Sequence, residues 1–541
     1  MSERVAGKIL AAQARTRGDS PFVWFGSAWH SFAEMDRRAN CVANAFVAQG
    51  IGKGSRVAVL LRNRLEYLDL WFGLSRIGAL QMPINCEYRA AQILQTLQRA
   101  PVDVVVVESG LLTELCVALE EMDRLPMILV MGSMPVDRPA SLAKAYDYVA
   151  VLAGALDGEL AADFAVSGAD AGVIMNTSGT TGPSKGVVLS HAQQYILGRN
   201  ISSDLELNAD AVYYNFFPLF HNTAQAMITL PVLLCGARMV LTERFSASRF
   251  WTEAQAHRCT AFYYIGEILR ILLRTDAPPE AGATSLRVAW GIGASAGDFA
   301  EFQSRFGIRL HTGYGSTEAN VPCFLPRTGA LPGSAGRVKE GFEIRIANES
   351  GEPVTAGTRG EILVRSSEPC ALMLGYDADP VATVAAWRDL WFHSGDTGYV
   401  DSEGLLFFTG RTKDVIRVRG ENVSAFEVEE SIGALDGVLE VAAIGVPSEL
   451  GGEEVKVILV PRADARLTPE SVVEWARSRL PRFAVPRYVE FVTSLPKTPT
   501  NKVQKHVLRL QPFNAQTWDG DRRAGARNFC SQEAQESKCS V

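Results

Sequence analysis

The chain has no excess of basic residues, no cysteine pairs at metal-binding spacing and no long uninterrupted apolar run. Its 53 Lys and Arg against 60 Asp and Glu give a net charge of -7 over 541 residues. This balance argues against nucleic acid as the main partner, because nucleic-acid binding usually needs a basic face. The nine cysteines form no CxxC pair, so we expect reduced thiols, a cytoplasmic protein and no zinc site.

The longest apolar run, AMITLPVLLCGARMVL (226–241), is interrupted by Pro231 and Arg238. It falls short of the roughly 20 apolar residues that span a bilayer, so we interpret it as a buried strand or helix. The first twenty residues contain no apolar core of the kind found in signal peptides. We therefore predict no transmembrane segment.

Two kinds of apolar segment alternate along the first 310 residues. RVAVLL (56–61), LQMPIN (80–85), VDVVVVES (102–109) and MILVMG (127–132) are typical of buried strands, whereas LEYLDLWFGLSRIGA (65–79) has helical periodicity. Strands that alternate with helices predict βαβ units and largely parallel sheets. The length also exceeds what one core supports. We predict an α/β protein whose large N-terminal region contains two stacked α/β subdomains.

The pattern changes after about residue 330. Short alternating strands broken by glycine predict a small β-rich subdomain. Beyond them, strand-like segments and the helix-like PESVVEWARSRL (469–480) predict a compact α+β C-terminal module of about 100 residues, an ordinary domain size. The last residues are polar with few aliphatics, so we predict a disordered tail.

A loop rich in Gly, Thr and Ser, NTSGTTGPSKGVVLSH (176–191), joins two strand-like segments. Ser190 is placed to cap the helix that follows. A Walker loop is excluded because Ser184 stands where that motif needs its second glycine. Glycines still allow backbone amides to converge on an anion, with hydroxyls and one lysine as further donors. From composition alone, a flexible surface hairpin is an equally good interpretation.

The rest of the sequence favours the anion-binding interpretation. TSGTTGPSKGV resembles the phosphate loop of the adenylate-forming superfamily, which includes acyl-CoA synthetases, firefly-type luciferases and peptide-synthetase adenylation domains. Further motifs similar to those of the superfamily follow in its order: PLFHNTA (218–224), WGIGASA (290–296), TGYGSTE (312–318), GSAGRV (333–338), WFHSGDTG (391–398), GRTKDVIRVRGENVSAFEVE (410–429) and LPKTPTNKVQK (495–505). The resemblance covers about residues 20–508.

This resemblance implies an AMP-forming acid–CoA ligase that uses ATP, Mg²⁺ and coenzyme A. A carboxylate is a poor acyl donor, and ATP activates it as an acyl-adenylate with pyrophosphate as the leaving group. A thiol must then reach the same carbonyl, which members of the superfamily allow by rotating a small C-terminal domain. The resemblance thus implies an N-terminal domain over 1–410, a hinge over 411–414, a mobile domain over 415–510 and a tail over 511–541.

The resemblance also assigns the catalytic and metal-binding residues. Lys502 would bridge the carboxylate and the α-phosphate, although Asn501 replaces the usual preceding glycine. His221 would lie beside them, and Thr317 would contact the α-phosphate. Thr181 and Glu318 would bind Mg²⁺ directly or through water.

Most of the remaining assignments concern the nucleotide and coenzyme A. The phosphates would be held by Ser178, Gly179, Thr180, Thr181, Gly182 and Lys185. Adenine would stack on Tyr314. The nucleotide would also contact Gly313, Gly315, Ala294 and Ser295. Asp396 would accept both ribose hydroxyls, with Arg411 nearby. Lys413 would be the hinge residue, and Arg417 and Gly420 would approach coenzyme A.

The identity of the acid stays open. Several motifs look closest to the crotonobetaine/carnitine-CoA ligase branch, and rings in the candidate pocket could cage a quaternary ammonium. They could equally line a slot for a medium-chain, long-chain or bulky apolar acid, which we favour. These residues are Tyr213, Tyr214, Tyr263, Tyr264 and Trp290, with Glu267 as a candidate counter-ion. A non-catalytic nucleotide-binding protein and a homodimer are further open alternatives.

Overall fold

The structure is a computed structural model that describes residues 2–176, 185–275, 284–325, 333–411, 414–418, 421–448, 453–498 and 502–520. Its chain divides into two compact units. The N-terminal unit contains the chain up to Ser394 and Gly398–Phe408, and the C-terminal unit contains Gly395–Thr397 and the chain from Thr409. The hinge and the mobility of the second unit stay predictions.

The strands are numbered in chain order. They are β1 Pro21–Phe25, β2 Ala28–Ser31, β3 Arg56–Leu60, β4 Leu80–Pro83, β5 Val104–Glu108, β6 Met127–Met131, β7 Ala145–Asp147, β8 Ala171–Asn176, β9 Gly186–Ser190, β10 Val212–Asn215, β11 Arg238–Leu241, β12 Ala261–Ile265, β13 Val288–Ile292, β14 Arg309–Ser316, β15 Asn320–Phe324, β16 Arg337–Val338, β17 Phe342–Ala347, β18 Gly360–Ser366, β19 Gly375–Tyr376, β20 Trp387–Arg388, β21 Trp391–Val400, β22 Leu406–Arg411, β23 Val415–Val418, β24 Glu421–Ser424, β25 Val438–Pro447, β26 Glu453–Pro461, β27 Tyr488–Phe491 and β28 Trp518–Asp519.

The helices are numbered in the same way. They are α1 Ala6–Arg17, α2 Phe32–Ala48, α3 Leu65–Ile77, α4 Ala90–Gln98, α5 Leu112–Glu120, α6 Tyr148–Leu152, α7 His191–Asp204, α8 Leu230–Cys235, α9 Phe250–Ala256, α10 Gly266–Leu273, α11 Ala296–Phe306, α12 Pro380–Ala386, α13 Ala425–Gly433, α14 Pro469–Arg477 and α15 Lys505–Leu510. Thr223–Thr229 forms a π-helix that runs into α8.

Two large sheets organise the N-terminal unit. One has the order β16-β15-β14-β13-β12-β10-β11-β1-β2, and the other has the order β19-β9-β8-β4-β3-β5-β6-β7. Their central neighbours pair in parallel, and antiparallel strands lie at the edges. Runs such as VVVV in β5 are buried on both faces, as expected where helices cover a parallel sheet. The predicted α/β class with two sheet-based subdomains is confirmed.

Individual segments also match the sequence analysis closely. The predicted helix 65–79 corresponds to α3, which ends at Gly78 in the left-handed conformation that favours glycine at a helix C-terminus. The apolar run 226–241 contributes to the π-helix, α8 and β11, all largely buried. Across the described ranges, we find no helix with the length and apolar character that crossing a membrane requires.

A five-stranded sheet follows the two large ones. It has the order β17-β18-β21-β20, with β22 paired to β21, and the β17–β18 and β20–β21 pairs are antiparallel. It corresponds to the β-rich subdomain predicted after residue 330.

The C-terminal unit is an α+β body. The β23–β24 hairpin lies beside a sheet with the order β25-β26-β27-β28, and α13 and α14 contribute apolar residues to its core. β28 pairs with β27, and the buried Lys456 ammonium donates to the carbonyl of Pro512 at 2.7 Å. The predicted start of the tail at 511 is therefore too early, because residues 511–520 pack on the sheet. The rest of the predicted tail, 521–541, lies outside the described residues.

Candidate active site

A loop between β14 and β15 carries Thr317 and Glu318. The side-chain amide of Gln193, on α7, donates to both of their carbonyls, at 2.9 and 3.2 Å. Gln193 is held in turn by the helix start, where its backbone N–H donates to Ser190 Oγ at 2.9 Å. The predicted capping role of Ser190 is confirmed, and the cap links the strand after the glycine-rich loop to the Glu318 loop.

The Glu318 side chain meets a residue that the sequence analysis did not single out. Tyr376 donates its hydroxyl to Glu318 Oε1 at 3.2 Å. The Lys185 ammonium lies 4.4 Å from the centre of the same ring, within range of a cation–π interaction. Burial, followed by the Glu318 carboxylate, raises the pKa of Tyr376, so the phenol stays protonated and acts as a donor. Two predicted ATP-site charges of opposite sign thus share one aromatic ring.

Strand packing accounts for the two glycines of the TGYGSTE motif. A Cβ at Gly313 would lie 2.6 Å from the Cys323 carbonyl oxygen, and one at Gly315 would lie 2.3 Å from that of Asn320. Both distances are to β15, the antiparallel neighbour of β14. The described contacts therefore explain these glycines by strand packing, whereas their predicted approach to the nucleotide stays a prediction. Tyr314 is buried and stacks on Phe408 at 6.2 Å between ring centres.

Two further predicted contacts lie at helix starts. Ser295 follows β13 and Ala294, and its hydroxyl accepts from the Asp298 N–H at 3.0 Å as the cap of α11. His221 precedes the π-helix, and its Nδ1 is 3.5 Å from Thr223 Oγ1. A π-helix is often found at functional sites.

The two residues predicted to bind the ribose, Asp396 and Arg411, form an ion pair in the C-terminal unit. Asp396 is 5% exposed, and its Oδ1 lies 3.2 Å from Arg411 Nε. Arg411 ends β22. The carboxylate predicted to accept the ribose diol is thus already oriented by a cation.

Lys502 lies on a short hairpin of the C-terminal unit, and its side chain is exposed. Its backbone N–H donates to Thr498 Oγ1 at 3.1 Å, and its carbonyl accepts from the Thr498 N–H at 2.8 Å. Lys497 and Val503 pair across the hairpin. Thr498 thus holds the backbone of Lys502 at this point of the hairpin.

Several predicted residues cannot be placed. Lys413, Gly420 and the phosphate-loop residues lie outside the described residues, and of Arg417 only its backbone position in β23 is described. The phosphate-loop residues concerned are Ser178, Gly179, Thr180, Thr181 and Gly182. Their roles stay predictions.

The five candidate pocket aromatics separate onto the two faces of the nine-stranded sheet. Tyr214 and Tyr264 share one face, where their hydroxyls donate to Glu253 and, at 2.8 Å, to the His311 carbonyl. Register places Tyr213, Tyr263 and Trp290 on the other. The latter face continues an aromatic cluster, with Tyr263 4.8 Å from Trp290 and 5.0 Å from Phe217 between ring centres. Glu267 lies in the first turn of α10.

Comparison with known proteins identifies the family. The model of the AMP-binding enzyme family matches residues 10–377, and that of the AMP-binding enzyme C-terminal domain matches residues 427–502. The chain belongs to the AMP-binding enzymes. A crotonobetaine/carnitine–CoA ligase of Salmonella paratyphi A is 31% identical over 487 residues, which are 88% of this chain and 93% of that protein. This AMP-binding enzyme is an AMP-forming acid–thiol ligase, as its family and relatives show.

Solved structures share the fold of this AMP-binding enzyme. ATP-bound MatB from Rhodopseudomonas palustris has a TM-score of 0.82 at 27% identity, over 93% of this chain and 98% of that one. A Mycobacterium tuberculosis fatty acyl CoA synthetase has a TM-score of 0.71, also at 27% identity, over 94% and 98%. The small-molecule substrates of the family are a carboxylic acid, ATP and CoA.

The described residues of the AMP-binding enzyme offer no cluster of three or more His, Cys, Asp or Glu that could hold a metal. A single carboxylate still fits Mg²⁺, which usually keeps several waters and takes its other ligands from substrate phosphates. Tyr376 bonds one oxygen of Glu318, so the other oxygen can face such an ion or its water.

Tyr376 and Gln193 were missed by the sequence analysis. Tyr376 is 58 residues from Glu318 in the chain, and Gln193 is 125. Neither contact has a local sequence signature, because each arises from strand and helix packing. The local sequence feature that could have drawn attention to Tyr376 is the glycine directly before it, in ALMLGYDADP (371–380).

Proposed function

We propose that this AMP-binding enzyme adenylates an apolar carboxylic acid with ATP and then transfers the acyl group to coenzyme A. In the first step the carboxylate attacks the α-phosphorus and pyrophosphate leaves. In the second step the thiolate of coenzyme A attacks the acyl carbonyl and AMP leaves. The observation that carries this proposal is the joint placement of Lys185 and Glu318 about Tyr376, the cation that we propose for phosphate and the carboxylate that we propose for Mg²⁺.

The residues of the chain act mainly by positioning charge. Lys185 binds phosphate oxygens, Thr317 donates to the α-phosphate and Lys502 offsets negative charge as the carboxylate approaches. Asp396, oriented by Arg411, accepts the ribose hydroxyls. Glu318, with Thr181, would hold Mg²⁺, which supplies charge neutralisation of the phosphates.

The aromatic cluster supports an apolar acid. Tyr263 and Trp290 are 2% and 0% exposed, and their ring contacts on this face are to other aromatic side chains. Burying an acyl chain against such rings would contribute roughly 0.8 kcal/mol per methylene. On the aromatic character of this face we favour a medium-chain, long-chain or bulky apolar acid.

A betaine acid is the second candidate. The rings of the same face could contact a quaternary ammonium, and a relative of 31% identity is named a crotonobetaine/carnitine–CoA ligase. The two candidates differ in whether the pocket must stabilise a positive charge.

Acid-dependent exchange of pyrophosphate into ATP, measured across medium-chain, long-chain, aromatic, steroid and betaine acids, tests the function. We expect exchange with an apolar acid and AMP-forming thioester synthesis when coenzyme A is added. Exchange with betaines alone would establish the second candidate. Absence of exchange with every acid, while ATP still binds, would contradict the proposed activity of this chain. A homodimer and a cytoplasmic location stay predictions from the sequence.

A further inference from the structure

One segment links the two parts of the proposed ATP site. On one side, the Met373 N–H donates to the Glu318 carbonyl at 2.8 Å. On the other side, Leu374 and Asp377 donate backbone N–H groups to the carbonyls of Val188 and Gly186 in β9, at 2.9 and 2.7 Å. β19, which contains Tyr376, pairs with β9. The segment 373–377 therefore joins the Glu318 loop to the strand that begins next to Lys185.

Further contacts fix the position of the segment 373–377. The buried carboxylate of Asp377 forms a two-point ion pair with Arg56, at 2.8 and 3.0 Å. The Tyr376 N–H donates to Thr383 Oγ1 at 2.9 Å. Gly375 has φ +150°, and a Cβ there would lie 3.0 Å from Thr383 Cγ2, so a side chain at this position would be strained. Tyr376 is thus presented by a rigid strand.

We propose that Tyr376 is a positioning residue that sets the separation of Lys185 and Glu318 to match a metal-bound triphosphate. Its hydroxyl holds one Glu318 oxygen, and the face of its ring contacts the Lys185 ammonium. The inference rests on the proposed function, because it assigns ATP to these two charges. The hydroxyl and the ring of Tyr376 therefore have separate roles.

Two variants separate these roles. Tyr376→Phe removes the hydrogen bond to Glu318 and keeps the ring, whereas Tyr376→Leu removes both. Tyr146→Phe is the matched control, because Tyr146 is half exposed on β7, at the opposite edge of the same sheet from β19. ATP affinity is measured by titration calorimetry without any acid substrate, once with Mg²⁺ and once with EDTA, so that no reaction occurs.

For Tyr376→Phe we expect the affinity for ATP to fall about 5- to 10-fold with Mg²⁺, the size that the net loss of one ordinary hydrogen bond predicts. With EDTA the affinity should fall less than about 2-fold. For Tyr376→Leu the affinity with EDTA should fall as well, by about 3-fold. Tyr146→Phe should leave the affinity for ATP unchanged, both with Mg²⁺ and with EDTA. Equal losses with Mg²⁺ and with EDTA in Tyr376→Phe, or no loss in either, would overturn the proposal.

A double-mutant cycle tests whether Tyr376 acts through Glu318. Adding Tyr376→Phe to Glu318→Gln should lower the Mg²⁺-dependent affinity no further than Glu318→Gln alone, since the partner is already altered. Additive losses would contradict positioning. These measurements can be told apart from the test of the proposed function. Absence of acid-dependent exchange in the unsubstituted protein would contradict the proposed function, whereas the differences in ATP affinity report on Tyr376 alone.

Discussion

The Glu318 loop and the Lys502 hairpin hold their proposed active-site charges in different ways. The Glu318 loop is fixed by hydrogen bonds from the buried amides of Gln193 and Asn320 to backbone carbonyls. The Lys502 hairpin is flanked by ion pairs between partly exposed side chains, Lys497–Glu440 and Lys505–Glu429. The first arrangement is short-ranged and directional, whereas the second depends on charge.

This contrast has an energetic meaning. Removing one partner of a buried hydrogen bond leaves its acceptor unsatisfied, at a cost of about 1–3 kcal/mol. A partly exposed ion pair is worth about 0–1 kcal/mol. A Glu318 loop held by directional hydrogen bonds suits a group that must keep one position, and a hairpin flanked by ion pairs suits a group that only the adenylation step needs.

The largest expected effect is that of Lys502→Ala. Loss of a charge aimed at the reacting phosphate should lower acid-dependent pyrophosphate exchange about 100- to 1000-fold. Thioester formation from a supplied acyl-adenylate should change little, because Lys502 takes no part in the second step as proposed. Because the side chain is exposed, the substitution should leave folding unchanged, and thermal unfolding of the variant serves as the control. Equal loss of both half-reactions would contradict separate roles.

The next effect concerns pH and the helix that carries Gln193. His191 begins α7, and burial lowers its pKa from 6.5 to about 4. Neither ring nitrogen has a hydrogen-bond partner within the described residues. On acidification the unfolded chain takes up a proton near pH 6.5, while the folded protein resists until about pH 4. Stability should therefore fall across this window, by about 3 kcal/mol in total.

Thermal unfolding between pH 7.5 and pH 4 measures this loss. His191→Leu removes the titrating group without breaking a described hydrogen bond, so its unfolding midpoint should depend less on pH over the same window. An identical pH dependence in both proteins would show that other groups, such as carboxylates, cause the loss.

The sequence predicted the parts of this protein that depend on local patterns. The periodicity of 65–79 predicted α3, and the alternation of apolar segments predicted two parallel-cored sheets. The Ser190 cap was also predicted, because capping needs only neighbouring residues. Tyr376 was missed because its two contacts come from separate parts of the chain, the residue before β9 and the β14–β15 loop. The reason for Gly313 and Gly315 was missed as well, since strand pairing with β15 is a tertiary contact.

A smaller effect is expected from Gln193→Leu. The change removes the side-chain donor to the Thr317 and Glu318 carbonyls, of which the Glu318 carbonyl keeps the Met373 N–H. The loss should lower the stability of the N-terminal unit by about 2 kcal/mol. ATP affinity in the presence of Mg²⁺ should fall with it, because the loop that presents Glu318 loses its support. Denaturant unfolding and calorimetry measure the two quantities.

The neighbouring glutamine provides a close control. Gln194 is equally buried, at 2% exposure, but its side-chain amide has no hydrogen-bond partner in the described parts of the chain. Gln194→Leu should therefore be neutral or stabilising and should leave ATP affinity unchanged. If the two substitutions behave alike, the backbone hydrogen bonds of Gln193 do not support the Glu318 loop.

The smallest expected effect is that of Lys497→Met on the hairpin that carries Lys502. The Lys497–Glu440 pair, at 2.9 Å with side chains 22% and 26% exposed, should contribute less than about 1 kcal/mol, and less at high salt. Lys53→Met, which breaks a 2.8 Å pair with Asp170 in the N-terminal unit, is the control for a general loss of one ion pair. We expect adenylation in Lys497→Met to stay within about threefold of the unsubstituted protein, because the backbone hydrogen bonds between Thr498 and Lys502 remain. A tenfold loss that high salt reproduces in the unsubstituted protein, and that Lys53→Met does not show, would instead mean that charge pairing positions Lys502.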